Sequence, residues 1–227
     1  MLANLPVYIT IVFILTTILT LWFLWKASSY KKNLVIIIAS VWLVLQGILS
    51  CTGLYLNKVS TSLGIALILL PPLVLIIFVL AAKRTRKFIR RLDLKTLHLL
   101  HIVRIPSEMC LYWLSQEKAV PELMTFEGHN LDVITGLTAP VIYFTCFKGR
   151  TIRSVNVLFA WNIIGLVMLG NAVAVNILSA PTSFQHYAHD QPNIAILYFP
   201  FIWLPSFIVM VILFSHLVMI KRLMSTK

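Results

Sequence analysis

Apolar runs long enough to cross a bilayer recur along this chain, and they limit its fold more than any other feature. A helix needs about 20 apolar residues to span the hydrocarbon core. Runs of that kind are read at 6–26, 33–55, 61–82, 130–148, 154–178 and 194–220, and a more polar span is read at 96–115. Lipid offers the backbone no hydrogen-bond partners, so each segment must satisfy its own N–H and C=O groups as a helix. The expected fold is an all-α integral membrane protein, a single seven-transmembrane-helix bundle over residues 1–227.

Composition points the same way. The chain is 59% hydrophobic and only 11% charged, with a mean hydropathy of +0.92. Soluble domains carry about 25% charged residues, and a water-facing fold of this size would lack the polar side chains to cover itself. The first apolar run has no basic stretch before it and is long enough to span, so it is expected to stay as the first helix rather than act as a signal peptide. Cys51, Cys110 and Cys146 are odd in number and widely spaced, which gives no disulfide framework. They read as small side chains within apolar segments.

The net charge of +12 is confined to short connections. Basic and aromatic residues do not interleave along any stretch, so no nucleic-acid partner is expected. Lys26, Lys31 and Lys32 follow the first span. Lys83, Arg84, Arg86, Lys87, Arg90, Arg91 and Lys95 follow the third, Lys148, Arg150 and Arg153 the fifth, and Lys221, Arg222 and Lys227 the seventh. These alternate connections hold 16 of the 19 lysines and arginines. The other side has Lys58 and Lys118, and Arg104 lies within the fourth span. Positive-inside bias puts the N-terminus outside and the C-terminus in the cytoplasm, in a cytoplasmic or plasma membrane, with anionic lipid a partner at the inner face. The alternation also requires the polar fourth span, since removing it would scramble the pattern. Within 83–95, Phe88, Ile89 and Leu92 are expected to face lipid while the basic residues face headgroups.

Spans one to three and five to seven share an orientation, with span four between them. Lys31 to Trp42 and Arg150 to Trp161 have the same spacing, and Leu70-Pro71 and Leu204-Pro205 each precede an aliphatic run closed by a basic pair. This three-plus-one-plus-three layout resembles that of the SWEET and PQ-loop transporters in topology and size, which implies a parallel internal repeat. The Pro-Gln pair that names the PQ-loop group is absent, and no functional residue is carried over. No lysine lies between Asn193 and Ile220, which removes a retinal Schiff base. His216 is the last span's lone histidine, which removes the paired histidines of zinc-dependent seven-helix hydrolases.

Span four carries the most informative chemistry. Helical spacing places His101, Arg104, Glu108 and Tyr112 on one face. Entering from the cytoplasmic side, Arg104 lies roughly 10 Å deep and Glu108 roughly 16 Å, near the bilayer centre. An ionised side chain there costs at least about 2.5–3.5 kcal/mol and persists only if paired or hydrated. Arg104 and Glu108, four apart, are expected to pair, and Pro106 frees the carbonyl of Ile102 as a further partner. These four residues are the expected substrate or proton site; an Arg–Glu clamp that only fixes packing is the alternative. His98, His101 and His216 sit at similar depth and are expected to be interfacial histidines beside a basic loop; a metal or haem ligated by the three is the alternative, if their helices adjoin. Asn162, Asn171 and Asn176 add polar groups to span six, and prolines 71, 72, 106, 140, 200 and 205 kink the spans.

A second cluster lies in the outer loops. Glu117, Glu122, Glu127, His129 and Asp132 precede span five, and His186, His189, Asp190 and Asn193 precede span seven. Imidazole and carboxylate suit zinc or copper. His186, His189 and Asp190 with His129, Glu127 or Asp132 are the candidate ligands of a divalent-metal site; the alternative is that these are simply the polar residues outer loops carry, with basic ones depleted by positive-inside bias. Asn130 is also placed to cap the fifth span.

The chain thus reads as a transporter or sensor of a small polar solute, ion or proton, built on Arg104 and Glu108. A membrane-embedded metalloenzyme with its site at the outer face is one alternative, and a structural or accessory subunit is another. No nucleophile elbow, P-loop or dinucleotide fingerprint is present.

Overall fold

A computed structural model describes residues 5–56, 58–149 and 151–225, with side chains at 58–61 left aside. Of the residues singled out above, Arg150, Lys227 and the side chain of Lys58 lie outside the described set. The chain is mostly helical, at 74%. The main helices are α1 (Val7–Ala27), α2 (Lys32–Cys51), α3 (Lys58–Ala81), α4 (Arg86–Arg91), α5 (Leu94–Leu99), α6 (Arg104–Gln116), α7 (Asp132–Cys146), α8 (Val155–Leu178) and α9 (Val209–Met224). A π-helical segment, Leu204–Ile208, leads directly into α9. Five helices are long and apolar enough to cross a membrane: α1, α2, α3, α8 and the continuous π–α9 unit. The helix α7 is apolar but shorter, at 15 residues.

The polar fourth span is helical from Leu94 to Gln116 in three pieces: α5, a 3-10 turn over Leu100–Val103, and α6. Pro106 sits in the first turn of α6, where its missing N–H is least disruptive. Asp93 starts the unit by accepting a hydrogen bond from the Thr96 amide at 3.1 Å.

Local chemistry moves several boundaries from their expected places. The helix α2 ends at Cys51 rather than near 55, because the turn that follows places Gly53 at φ +75°, a conformation side-chain-bearing residues avoid. Span five stops at Cys146, where Phe147–Lys148 and Thr151–Ile152 form a two-stranded hairpin, β1 and β2. The last span begins near 204 rather than 194. Residues 194–202 form a 3-10 turn and a loop that includes Pro200, and so lie outside the helix. The 83–95 stretch does not lay an apolar face on lipid. Ile89 and Leu92 are buried in the protein core and Phe88 packs against it, because α4 folds back beneath the bundle.

A stripe of α1 at Ile9, Phe13, Thr16, Thr17, Thr20, Leu24 and Ala27 is buried against α5 and α6. Its threonines hide their hydroxyls on carbonyls one turn back, Thr17 on Phe13 at 3.0 Å and Thr20 on Thr16 at 2.8 Å. The four basic connections meet at one end of the bundle. The Asp93 amide donates to Ala27 O, Arg222 donates to Ile89 O and Arg90 O, Lys221 donates to Leu80 O, and Lys95 donates to Gly149 O. At the opposite end, Ala195 N–H donates to Ala119 O and Gln191 donates to Val120 O, tying the two long outer loops together.

Candidate functional site

The α5–α6 unit, α7, α8 and α9 deliver polar side chains into the apolar interior between them. Arg104, Glu108 and Asp132 are 1%, 4% and 4% exposed, and His98, His101, Asn162, Ser215 and His216 are fully buried. Burial of this many polar groups away from water is tolerated only when they satisfy one another.

They do so as a chain whose direction is fixed at one end. Asn162 donates its amide to Leu158 O at 2.7 Å, which turns its own carbonyl oxygen toward His216. That oxygen lies 2.9 Å from His216 Nδ1, so Nδ1 carries the proton and Nε2 presents a lone pair. Arg104 donates to this lone pair at 2.8 Å through one terminal nitrogen and forms an ion pair with Asp132 through the other. The Asp132 amide in turn donates to Asn130 Oδ1 at 3.0 Å. Asn130 Nδ2 reaches both oxygens of Glu108, at 2.9 and 2.8 Å. One connected path therefore runs from α8 through α9, α6 and the start of α7 back to α6.

Two expectations are corrected here. Arg104 does not take Glu108 as its ion-pair partner; Asp132 fills that role, and Glu108 is held by Asn130. The cause is the approach of α7. A Cβ placed on Gly136 would lie 3.1 Å from Arg104 Cβ, so this glycine lets the two backbones close up and brings Asn130 and Asp132 onto α6. Asp132 is consequently turned inward and unavailable to an outer metal set. His129, Glu127, His186, His189 and Asp190 stay exposed on the outer loops, as do Glu117 and Glu122. Among the described residues no group of three or more His, Cys, Asp or Glu side chains is placed to hold a metal ion.

His101 does join the site. Its ring lies 4.1 Å from that of His216, and its Nε2 is 3.1 Å from Ser215 Oγ, which donates to Leu97 O. His98 donates through Nε2 to Ala139 O at 2.9 Å. Trp161 packs against all three imidazoles, with ring centroids 4.5, 5.1 and 5.7 Å away. Tyr112 lies a turn beyond Glu108 and stacks on Phe126 at 5.1 Å, away from this network.

Among the described residues, three buried nitrogens have no protein partner: Nδ1 of His98, Nδ1 of His101 and Nε of Arg104. Beside Arg104 lies a cavity of about 60 Å³ whose polar lining is Arg104, Ser107, Glu108, Asn130, Asp132 and Asn176. Its apolar walls come from α3, α8 and the π–α9 unit, including Ile68, Leu169 and Ile212. A water needs roughly 10–15 Å³ of such space, so a few waters or a small ion fit.

Asn162 and Gly165 are the residues whose pattern in the sequence points to this contact. A Cβ on Gly165 would lie 2.5 Å from His216 Cε1, so only glycine lets this imidazole press against α8. An asparagine one turn before a glycine in an apolar helix marks where a neighbour's polar group must enter.

The fold and site thus define a helical protein whose long apolar helices suit a membrane and which encloses a charged, hydrogen-bonded core. The chain belongs to the family described as a domain of unknown function, DUF8737, matched over residues 61–224. That match contains every member of the network, while α1 and α2 precede it. No curated protein matches the chain, and no solved structure does.

Proposed function

We propose that this protein transports or senses a small polar solute, ion or proton, with Arg104, Asp132, Glu108 and Asn130 as the central site and His101 and His216 beside it. In this reading all five long helices cross the membrane together with α7 and the α5–α6 unit, giving seven spans. The basic connections lie in the cytoplasm and the 117–131 and 179–203 loops outside. The gathering of the basic connections at one end of the bundle supports that orientation. The parallel repeat relates α1–α3 to α7–α9, with α5–α6 as the linker span.

One observation carries the functional reading: the charged groups border a cavity rather than being wholly sealed against one another. A purely structural clamp needs no such space. A small guest entering it meets a guanidinium, two carboxylates and two amides within one helical turn or two. The His216 imidazole and the two carboxylates of the connected path are groups that exchange protons.

The test is flux across proteoliposomes loaded with a pH-reporting dye, with small amino, carboxylate and inorganic-ion solutes offered outside. Wild-type protein is expected to dissipate a proton gradient or move a solute faster than protein-free vesicles. Glu108→Gln, which keeps the shape but loses the charge, is expected to slow this at least tenfold. Equal flux in wild type and Glu108→Gln rejects the site.

A further inference from the structure

A second and much larger cavity, about 710 Å³, lies between α2, α3 and the π–α9 unit. Consecutive helices usually pack together, yet α2 and α3 barely touch along their described lengths. Two indoles hold α2 to the π segment and set the cleft's inner end: Trp42 donates to Ser206 O and Trp203 to Leu43 O, each at 2.9 Å. On the far side α3 contacts the π–α9 unit instead of α2. The volume falls in the range of about 300–1,000 Å³ of small-ligand sites.

The cleft is amphipathic along its length. Its walls are apolar, among them Ala39, Leu75, Met210 and Phe214, and among the described residues no carboxylate lines it. Its mouth, at the end where the basic connections meet, carries Lys31, Arg84 and Lys87, all exposed. From Leu34 near this mouth to Leu45 at the inner end, α2 rises about 17 Å. That is close to one leaflet, half of the roughly 30 Å hydrocarbon core.

We infer that this cleft holds one anionic phospholipid, drawn from the leaflet on the basic side of the membrane. Its phosphate meets Lys31, Arg84 and Lys87, and its acyl chains lie between α2 and α3 down to Trp42. Three cations at the mouth with no acid in the lining complement a phosphate. The depth complements acyl chains, and a water-filled apolar cleft at that depth would be unfavourable. The inference is independent of the transport or sensing role; it requires only that these helices lie in a membrane.

Purified protein is titrated with dioleoylphosphatidylglycerol and dioleoylphosphatidylcholine and read by native mass spectrometry. One bound phosphatidylglycerol is expected, favoured at least tenfold over phosphatidylcholine. The triple variant Lys31→Glu/Arg84→Glu/Lys87→Glu should lose that preference. Leu75→Trp, which fills the cleft, should lose retention of either lipid while keeping its helical circular dichroism. Lys148→Glu, a basic-end residue outside the cleft, should change nothing. Equal affinity for the two lipids in wild type overturns the inference. Loss of the preference in Lys148→Glu also overturns it, since that result means surface charge alone. A readout that needs no variant is photolabelling by phosphatidylglycerol carrying a diazirine on its acyl chain. Labels within 34–45 and 71–79 are expected, and labels confined to other segments overturn the assignment.

Discussion

The helix α3 and the π–α9 unit look alike in sequence. Each has a Leu-Pro pair followed by an aliphatic run and a basic pair, and each is long enough to span a bilayer. In the structure they have opposite jobs. Only 22% of the α3 span is buried inside the protein, against 67% of the π–α9 span. Leu63, Leu67, Leu70, Val74 and Phe78 of α3 point outward, whereas Met210, Ser215, His216 and Met219 of α9 are enclosed. Side chains account for the contrast. The α3 span is the more apolar of the two, while α9 carries a serine and a histidine that lipid cannot satisfy. Apolarity qualifies both helices to cross a membrane; between these two, the one that carries the polar exceptions sits at the centre.

If that is right, the largest loss of stability comes from breaking the buried charge pair. Arg104→Met leaves Asp132 ionised and unpaired within the bundle, which should cost about 3–5 kcal/mol, measured by denaturant titration in bicelles. The double variant Arg104→Met/Asp132→Leu should recover much of it, because a charge pair replaced whole by apolar groups leaves no orphan. A double variant as unstable as the single one would mean that Arg104 acts through His216 or the backbone rather than through Asp132.

A sharper test lies within α8, at two glycines five residues apart. Gly165→Ala should destabilise by about 1–3 kcal/mol, since the new methyl must displace His216 or Thr135. Gly170 has nothing within 4 Å of a built Cβ, and Gly170→Ala should be neutral or stabilising by up to about 1 kcal/mol. Equal effects at the two positions would show that α8 does not press on α9 at His216.

Next in size are the indole bonds that carry α2 on the π segment. Trp42→Phe removes the donor to Ser206 O and should cost about 0.5–1.5 kcal/mol in the same titration. No loss at all would mean that the Trp42 bond does not help to hold α2, which the Trp203 bond to Leu43 O and the contacts with α1 would then carry.

The helical membrane class was legible because it rests on length and apolarity, which lipid enforces segment by segment. The prominence of Arg104, Glu108 and His101 was legible too, because charged groups stand out against an apolar background. The partners were not. Helical spacing offered Glu108 to Arg104, and only the packing of α7 through Gly136 brings Asp132 in instead. Asp132 reads in the sequence as an outer-loop residue because the start of α7 reads as a loop boundary, and its inward turn depends on the bond from its amide to Asn130. Periodicity groups Tyr112 with the stripe, but it carries no information on Phe126 of the facing loop, against which Tyr112 stacks. Local pattern reaches as far as one helix; the identity of a partner belongs to the next.

The smallest expected effect bears on α3. Leu67 is 51% exposed on its outward face. In water, Leu→Ala at a half-covered site would lose part of the hydrophobic transfer energy. In a bilayer the lipid tails are as apolar as leucine, so exposing that face to them carries no such term. Leu67→Ala should therefore change stability by less than about 0.5 kcal/mol, the range of unremarkable surface substitutions. The same titration in bicelles measures it. A loss above about 1 kcal/mol would mean that a protein surface, such as a second copy of this chain, covers α3. The contrast between a lipid-facing helix and a buried one would then be a contrast between two interfaces, and the cleft beside α3 would open toward that partner instead of toward lipid.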